Sequence, residues 1–124
     1  MDNKRIAIIA HDGKKAEMVA FLNQNQELLK EFKLVATGTT GMHANNAGFD
    51  VKRFNSGPLG GDAQIGGLIS EGDITMVFFF RDPLGKHPHE PDVQMLMRLC
   101  DVHNVPLATN PATANLLIKS LVSK

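Results

Sequence analysis

Apolar residues along the chain form two alternating patterns: short continuous runs, and longer stretches in which they recur every three or four positions. The longer stretches predict amphipathic helices, because their apolar residues share one helical face. The continuous runs predict buried strands, and they are Ile6 to Ala10, Leu34 to Ala36, Val51 to Phe54, Ile74 to Phe80 and Val105 to Ala108. This alternation predicts an α/β fold: a single doubly wound, Rossmann-like domain with a five-stranded, mainly parallel sheet flanked by helices.

The helical stripes indicate which side of each helix faces the core. Two helices also carry start signals, Glu90 before Pro91 and Asn110 before Pro111, where proline at the first helical position lacks only an N–H that has no partner within the helix. The stripes are Met18, Leu22, Leu29 and Phe32; Ile65, Leu68 and Ile69; Val93, Leu96, Met97 and Cys100; and Ala114, Leu117, Ile118 and Leu121.

Composition is that of an ordinary globular protein. The 124 residues fit one domain spanning 1–124, with 43% hydrophobic residues, 21% charged residues and a formal net charge of +0. The charge balance gives no reason to expect nucleic acid as a partner, and the longest apolar run is far short of the roughly 20 residues that span a membrane. The N-terminus lacks the pattern of a secretory signal, so we expect a cytoplasmic protein. Cys100, the single cysteine, is expected to be buried and structural.

Unusual polar segments follow each predicted strand. Ligands of open α/β sheets bind beyond the carboxyl ends of the strands, so we expect these segments to meet at one edge of the sheet. They are His11–Asp12, Thr37–Gly41, Ser56–Asp62, Arg81–Asp92 and Thr109–Asn110.

The glycine-rich segment Ser56-Gly57-Pro58-Leu59-Gly60-Gly61-Asp62 places one carboxylate where a helix is expected to begin. Glycine lets the backbone approach a ligand closely, and a helix N-terminus favours an anion. Asp62 is therefore either a helix cap or a chemically active carboxylate, and the segment alone leaves both open.

The segment Thr37-Gly38-Thr39-Thr40-Gly41 combines hydroxyl and backbone donors at a strand-to-helix turn, which suits the oxygens of a phosphate monoester. The alternative is that Thr39 or Thr40 only caps the next helix. The spacing is neither that of a P-loop nor that of a dinucleotide fingerprint, so a smaller phosphorylated molecule is favoured. Ser56 and Gly57 could complete the phosphate site, and Lys15 could supply a cation, although it could equally be a solvated lysine.

Residues 82–92 form a proline-rich segment with two histidines. His89 lies just before a predicted helix, where the positive end of the dipole favours a neutral imidazole that can donate a hydrogen bond to a carbonyl oxygen. Either this histidine or His87 could instead be a plain surface residue. Zinc binding is disfavoured because these polar segments contain no cysteine and the histidines lack His-x-x-x-His spacing.

Several other polar residues of these segments are candidates for the site. His11 could contact a substrate hydroxyl or carbonyl. We interpret Asp12, Asp82 and Asp92 as supporting residues that orient histidines or hold loops.

Taken together, these motifs closely resemble the methylglyoxal synthase family, and the resemblance spans nearly the whole chain. It is carried by Ala10-His11-Asp12 with Lys15, Ala36-Thr37-Gly38-Thr39-Thr40-Gly41, the Ser56–Asp62 segment, Ile69-Ser70-Glu71-Gly72, Asp82-Pro83-Leu84 and Pro88-His89-Glu90-Pro91-Asp92. The resemblance implies conversion of dihydroxyacetone phosphate to methylglyoxal and inorganic phosphate, without metal or organic cofactor. Inorganic phosphate would be the product and a candidate inhibitor. A homohexamer is also implied.

The resemblance further implies roles for individual residues. Asp62 would transfer the proton, and His11 and His89 would contact the substrate. Phosphate would be bound by Lys15, Thr37, Gly38, Thr39, Thr40, Ser56 and Gly57. Longer members carry a C-terminal tail beyond the position of Lys124, so contacts from that tail are not expected here.

Two alternatives remain at this stage. A regulatory domain of the same fold would bind a phosphorylated metabolite without chemistry, although such a domain has no evident use for a carboxylate facing a neutral histidine. A receiver-like signalling domain would use Asp12 as a phosphoacceptor, but the glycine- and threonine-rich segments fit that function poorly.

Overall fold

The computed structural model describes residues 4–55, 60–85 and 90–122, and the side chains within these ranges except those of 90–92 and 121–122. Within these ranges five strands and six α-helices alternate along the chain. The strands are β1 (Arg5–Ala10), β2 (Lys33–Ala36), β3 (Val51–Arg53), β4 (Met76–Phe80) and β5 (Leu107–Ala108). The helices are α1 (Lys15–Gln24), α2 (Gln26–Leu29), α3 (Gly38–Asn46), α4 (Gly61–Ser70), α5 (Glu90–Val102) and α6 (Pro111–Val122), with a 3₁₀ turn at Asp12–Lys14.

The sheet is parallel throughout its described strands, in the order β3-β2-β1-β4-β5. In the register, Ile8 lies opposite Ala36 on one side and Phe78 on the other. The order reverses its direction between β1 and β4, which is the switch point where ligands of this fold class bind. The predicted doubly wound α/β fold is confirmed.

Both faces of the sheet are buried, which explains why the strands are continuous apolar runs. Successive residues of a strand point to opposite faces. Ile6 and Ile8 therefore pack with α1, α3 and α6, whereas Ala7 and Ile9 pack with α4 and α5. On the first face Phe21 of α1 contacts the rings of Phe78 and Phe80 edge-on, at centroid distances of 5.1 and 5.5 Å.

The helical stripe predicted from Met18 to Phe32 is not one helix, because the helix is interrupted at Asn25. This buried residue leaves helical geometry, with φ −115° and ψ 24°. Its side-chain amide donates to the Phe21 carbonyl (2.9 Å) and to Oδ1 of Asn115 (3.0 Å). Asparagine side chains compete in this way with the backbone ladder, and here the competition separates α1 from α2.

Element boundaries otherwise shift by one or two residues. Three predicted strands are shorter in the structure: β3 ends at Arg53, β4 begins at Met76 and β5 begins at Leu107. The flanking backbone still pairs with the sheet, since Phe54 N–H donates to the Ala36 carbonyl and Thr75 N–H to the Arg5 carbonyl, both at 2.8 Å.

The predicted helix starts agree with the structure to within one residue. Asn110 caps α6 by accepting the Thr113 N–H at 2.9 Å, ahead of Pro111. Glu90 is the first residue of α5 instead of its cap. Among the described helices, none combines the length and apolar character that crossing a bilayer requires.

Cys100 is buried on α5, as predicted. Burial, which would strip the thiolate of its hydration, and to a smaller extent the charge of Asp101 together raise the pKa of its thiol from an ordinary value of 9.0 to about 11. In the unfolded chain the Cys100 thiol ionises at its ordinary pKa of 9.0, which is lower than in the folded protein. The contribution of the protonated thiol to stability is therefore fully present below about pH 9 and is lost as the pH rises towards 11.

We therefore predict that the free energy of unfolding of the unmodified protein falls between about pH 9 and 11 more steeply than that of Cys100→Ala. Urea unfolding at a series of pH values and equal protein concentration measures this difference. A constant offset between the two proteins over this range would contradict the prediction, since lost packing alone does not depend on pH.

Candidate active site

His11 lies directly after β1, at the switch point of the sheet, and its ring orientation is set by the neighbouring strand end. Its backbone N–H continues the sheet by donating to the Phe80 carbonyl (3.1 Å). The backbone N–H of Asp82 donates to His11 Nδ1 at 3.0 Å. Because a backbone N–H can only donate, Nδ1 carries a lone pair and the proton of the neutral ring is on Nε2. The ring also rests edge-on against Phe79, at 5.3 Å between centroids.

The backbone N–H and the carboxylate of Asp82 both stabilise the turn after β4. While its N–H binds the histidine, its Oδ1 accepts the Leu84 N–H at 3.1 Å, as in an Asx turn. Its other carboxylate oxygen lies so close to Gly13 that a Cβ there would approach it to 2.7 Å. The structure therefore packs the turns after β1 and β4 directly against each other.

Thr40 joins the threonine-rich segment to the end of β1. Its hydroxyl oxygen accepts the Ala10 N–H at 3.3 Å and lies 3.5 Å from the Ala10 carbonyl oxygen, and the residue is 3% exposed. This side chain satisfies a buried backbone donor. The interpretation of Thr39 or Thr40 as a helix cap is wrong, because Thr37 occupies the N-cap position of α3 and the other two threonines lie inside the helix.

The first turn of α3 presents part of its backbone for an anion. The first N–H groups of a helix have no intrahelical carbonyl partner. Gly38 N–H donates to the Asn55 carbonyl at 3.2 Å, and Gly41 N–H to the Thr37 carbonyl at 2.8 Å. Within the described residues the N–H groups of Thr39 and Thr40 have no such acceptor. Thr39 is also exposed at this turn, so it is the threonine of α3 best placed to meet a ligand.

Asp62 lies in the first turn of α4 and is buried, with 8% of its surface exposed. The N-cap position belongs to Gly60, whose φ of +100° is a left-handed conformation that glycine adopts without strain. Asp62 therefore does not occupy the position of an N-cap.

Lys15, the first residue of α1, pairs with Asp12. Its side chain is 15% exposed whereas that of Asp12 is 97% exposed, so the ammonium group is largely covered while its partner remains in solvent. An exposed carboxylate contributes little net stability to such a pair. Lys15 thus remains a candidate cation for a phosphate group.

Other predicted site residues lie outside the described part of the chain. His89, Ser56 and Gly57 belong to the segments that the structure leaves undescribed, as does His87. Asp92 is the third residue of α5, but its side chain is not described. The structure therefore brings together His11, Asp82, Thr40 and Ala10, and places Asp62 and Lys15 in the first turns of their helices.

Three further residues connect the elements of the site and were not predicted from the sequence. Asn55 accepts the Gly38 N–H and donates its own N–H to Gln64 Oε1 at 3.0 Å, which links α3 to α4. Arg53 donates from Nε to the Gly38 carbonyl at 3.1 Å. For Asn55 the available signal was its position after β3 and just before the Ser56–Asp62 segment, whereas nothing within β3 or α4 indicated the contacts of Arg53 and Gln64.

The fold defines an α/β protein with polar residues at the carboxyl ends of a parallel sheet, among them an oriented imidazole after β1 and a buried carboxylate in the first turn of α4. Comparison with known proteins agrees with this class. The family model of the MGS-like domain matches residues 17–109.

Curated relatives named methylglyoxal synthase align over almost the whole chain. One from Clostridium botulinum (strain Eklund 17B / Type B) is 58% identical over 116 residues, covering 93% of this chain and 98% of the relative. One from Borreliella afzelii (strain PKo) is 56% identical over 121 residues, covering 97% and 95%. The crystal structure of methylglyoxal synthase from Elizabethkingia anophelis NUHP1 superposes with a TM-score of 0.89 and 43% identity, covering 94% of this chain and 78% of that one.

The chain therefore belongs to the methylglyoxal synthase family. This confirms the predicted family and, with it, the prediction that the protein is an enzyme of the lyase class.

We predict that Thr40→Val destabilises the protein by about 1–3 kcal/mol, because a buried Ala10 N–H loses its acceptor while the side-chain volume is preserved. Thr39→Val is the matched control: it makes the same chemical change at the next position of the helix, where the side chain is exposed, and should stay within about 0.5 kcal/mol. Urea unfolding at equal protein concentration measures both. Equal effects of the two substitutions would show that the Ala10 contact does not stabilise the fold.

Proposed function

We propose that the protein converts dihydroxyacetone phosphate to methylglyoxal and inorganic phosphate, with no metal or organic cofactor. The observation that carries the proposal is the hydrogen bond from the Asp82 N–H to His11 Nδ1, which places the proton of the neutral imidazole on Nε2 at the switch point. Asp62 lies in the first turn of α4 as a buried carboxylate. A carboxylate and a neutral hydrogen-bond donor are the two groups that proton abstraction beside a carbonyl requires.

In the proposed reaction Asp62 removes a proton from the hydroxymethyl carbon next to the carbonyl. The electron pair of the broken C–H bond forms the carbon–carbon double bond of an enediolate, and negative charge develops on the former carbonyl oxygen. His11 contacts the substrate oxygens, and His89, which lies outside the described residues, is proposed to stabilise this oxygen by a hydrogen bond.

A proton then moves from the hydroxyl on the deprotonated carbon to the former carbonyl oxygen, and the oxygen that lost it forms an aldehyde. The carbon–carbon π pair shifts towards the phosphate-bearing carbon, the carbon–oxygen bond breaks, and the leaving phosphate takes the proton held by Asp62. The resulting enol tautomerises to methylglyoxal. The atoms balance without added water. Elimination requires that the bond to phosphate stand out of the enediolate plane, where it overlaps the π system. A site that binds the phosphate group tightly fixes this torsion, and it thereby favours elimination of phosphate over isomerisation of the substrate.

The proposed phosphate cradle consists of Lys15, the first turn of α3 (Thr37–Thr40) and Ser56–Gly57. Its support within the described residues is the N–H groups of Thr39 and Thr40 at a helix N-terminus, where the dipole favours an anion. Two predicted contributors have a narrower role than expected, because the Gly38 N–H and the Thr40 hydroxyl are bound inside the protein. We therefore propose that, of the groups of α3, Thr39 and the Thr40 N–H contribute most to phosphate binding.

The remaining proposals rest on the family resemblance. We propose a homohexamer, a cytoplasmic location, and inorganic phosphate as an inhibitor that competes with substrate for the cradle.

We predict that purified protein releases methylglyoxal and phosphate from dihydroxyacetone phosphate in the presence of a chelator. Asp62→Asn should reduce kcat by about 100- to 10,000-fold, because an amide cannot accept the proton. Asp101→Asn, an exposed change elsewhere on the surface, is the control and should leave kcat unchanged. Assays of methylglyoxal and phosphate, with circular dichroism to verify folding, measure these effects.

Undiminished activity of Asp62→Asn would overturn the proposed mechanism. Phosphate binding without any turnover by the unmodified protein would instead favour a regulatory binding domain.

We also predict that Thr39→Ala and Lys15→Ala each raise KM for the substrate and Ki for inorganic phosphate by about tenfold, the loss expected for one hydrogen bond to a charged group. Lys30→Ala is a matched control for Lys15, since Lys30 forms the same kind of i,i+3 ion pair, with Glu27, on an exposed surface. Unchanged KM and Ki in both Thr39→Ala and Lys15→Ala would remove these residues from the cradle.

A further inference from the structure

Arg53, the last residue of β3, reaches across to the first turn of α3. Its Nε donates to the Gly38 carbonyl at 3.1 Å. Its aliphatic stem lies against Gly41, one turn further along the helix, where a Cβ would approach the Arg53 Cγ to 2.5 Å. The side chain is thus held at two points, by a hydrogen bond at its guanidinium group and by close packing at its stem.

The carbonyl that Arg53 binds belongs to the same peptide group as the Thr39 N–H. The two ends of a planar peptide point in opposite directions, so Arg53 binds one end and the other faces away from it. A hydrogen bond from a cation to the carbonyl polarises the amide and strengthens its N–H as a donor. Arg53 therefore acts on one of the two N–H groups through which the proposed cradle would bind phosphate.

The same peptide segment is fixed from a second side. Gly38 N–H donates to the Asn55 carbonyl, two residues beyond Arg53 in the chain. Both hydrogen-bonding groups of Gly38 are therefore bound, the carbonyl by the last residue of β3 and the N–H by the segment that follows it. This leaves the first turn of α3 little freedom to rotate its Thr39 N–H away from a ligand.

We propose that Arg53 is a positioning residue of the phosphate cradle, which orients and polarises the Gly38–Thr39 peptide so that its N–H binds the phosphate group of the substrate. The inference rests on the proposed function for the identity of the substrate. Its chemical content, that Arg53 sets affinity for a phosphate dianion, is independent of turnover.

Arginine suits this role better than lysine, because Nε lies on a rigid planar fork close to the stem. A lysine ammonium could donate to the same carbonyl only from the end of a flexible chain. Lys52 provides the control, since it is the neighbouring residue of β3 with the same charge, but it lies over the Phe54 ring at 5.4 Å from its centroid.

The experiment measures the Kd of inorganic phosphate by calorimetry, together with kcat and KM, for the unmodified protein, Arg53→Met, Arg53→Lys and Lys52→Met. Arg53→Met keeps the stem and removes every donor, so we expect Kd and KM to rise about tenfold while kcat stays within about twofold. Arg53→Lys should lie between Arg53→Met and the unmodified protein. Lys52→Met should leave Kd within about twofold, because it changes only the overall charge.

An unchanged Kd in Arg53→Met, or an equal rise in Lys52→Met, would overturn the proposal, and so would a loss of kcat with Kd unchanged. If Arg53→Met does not fold, Arg53→Lys decides, since an unchanged Kd in that variant also overturns it. Absence of methylglyoxal formation by the unmodified protein would overturn the proposed function, whereas the order of the phosphate Kd values would still decide the role of Arg53.

Discussion

The parallel pairing of β1 with β4 is the constraint on which the rest of the structure depends. It aligns Ala10 with Phe80, so that the chain leaves both strands at the same level of the sheet. The first polar residues beyond this level then meet, and the Asp82 N–H finds its acceptor in the His11 ring. A backbone donor that folding partly removes from solvent needs an acceptor within the protein. Here the group that satisfies it is a side chain of the site, so the orientation of the imidazole follows from the pairing of the sheet.

Hydrogen bonds of the same kind join the other strand ends. Thr40 binds the backbone of Ala10, Gly38 binds Asn55, and Asn55 binds Gln64 near the start of α4. The first two bonds each join two strand ends, and the third lies within the connection from β3 to α4; together they connect the turns after β1, β2 and β3. Neighbouring threonines of one motif consequently differ in role, because Thr40 is buried within this network and Thr39 is exposed at its edge. A motif of uniform appearance thus contains both a buried, structural threonine and a solvent-exposed one.

The sequence predicts the architecture well because the properties that determine it are local. Continuous apolar runs indicate strands buried on both faces, and Asn110-Pro111 indicates a helix start, whether or not their neighbours are known. The alternation of strands and helices alone also predicts that the polar segments meet at one edge of the sheet. The break at Asn25 is not predicted, because it depends on Asn115, 90 positions away. Arg53 was missed for the same reason: nothing within its own strand shows that its side chain bonds to Gly38.

The contact between Arg53 and Gly41 has a consequence for how relatives of this protein can differ in sequence. Any residue other than glycine at position 41 brings a Cβ into the space that the Arg53 stem occupies, 2.5 Å from its Cγ. A larger residue at 41 therefore requires a shorter side chain at 53, whereas a long side chain at 53 requires glycine at 41. The two positions are expected to vary together within the family, and a substitution at 41 copied from a relative will be tolerated only with that relative's residue at 53.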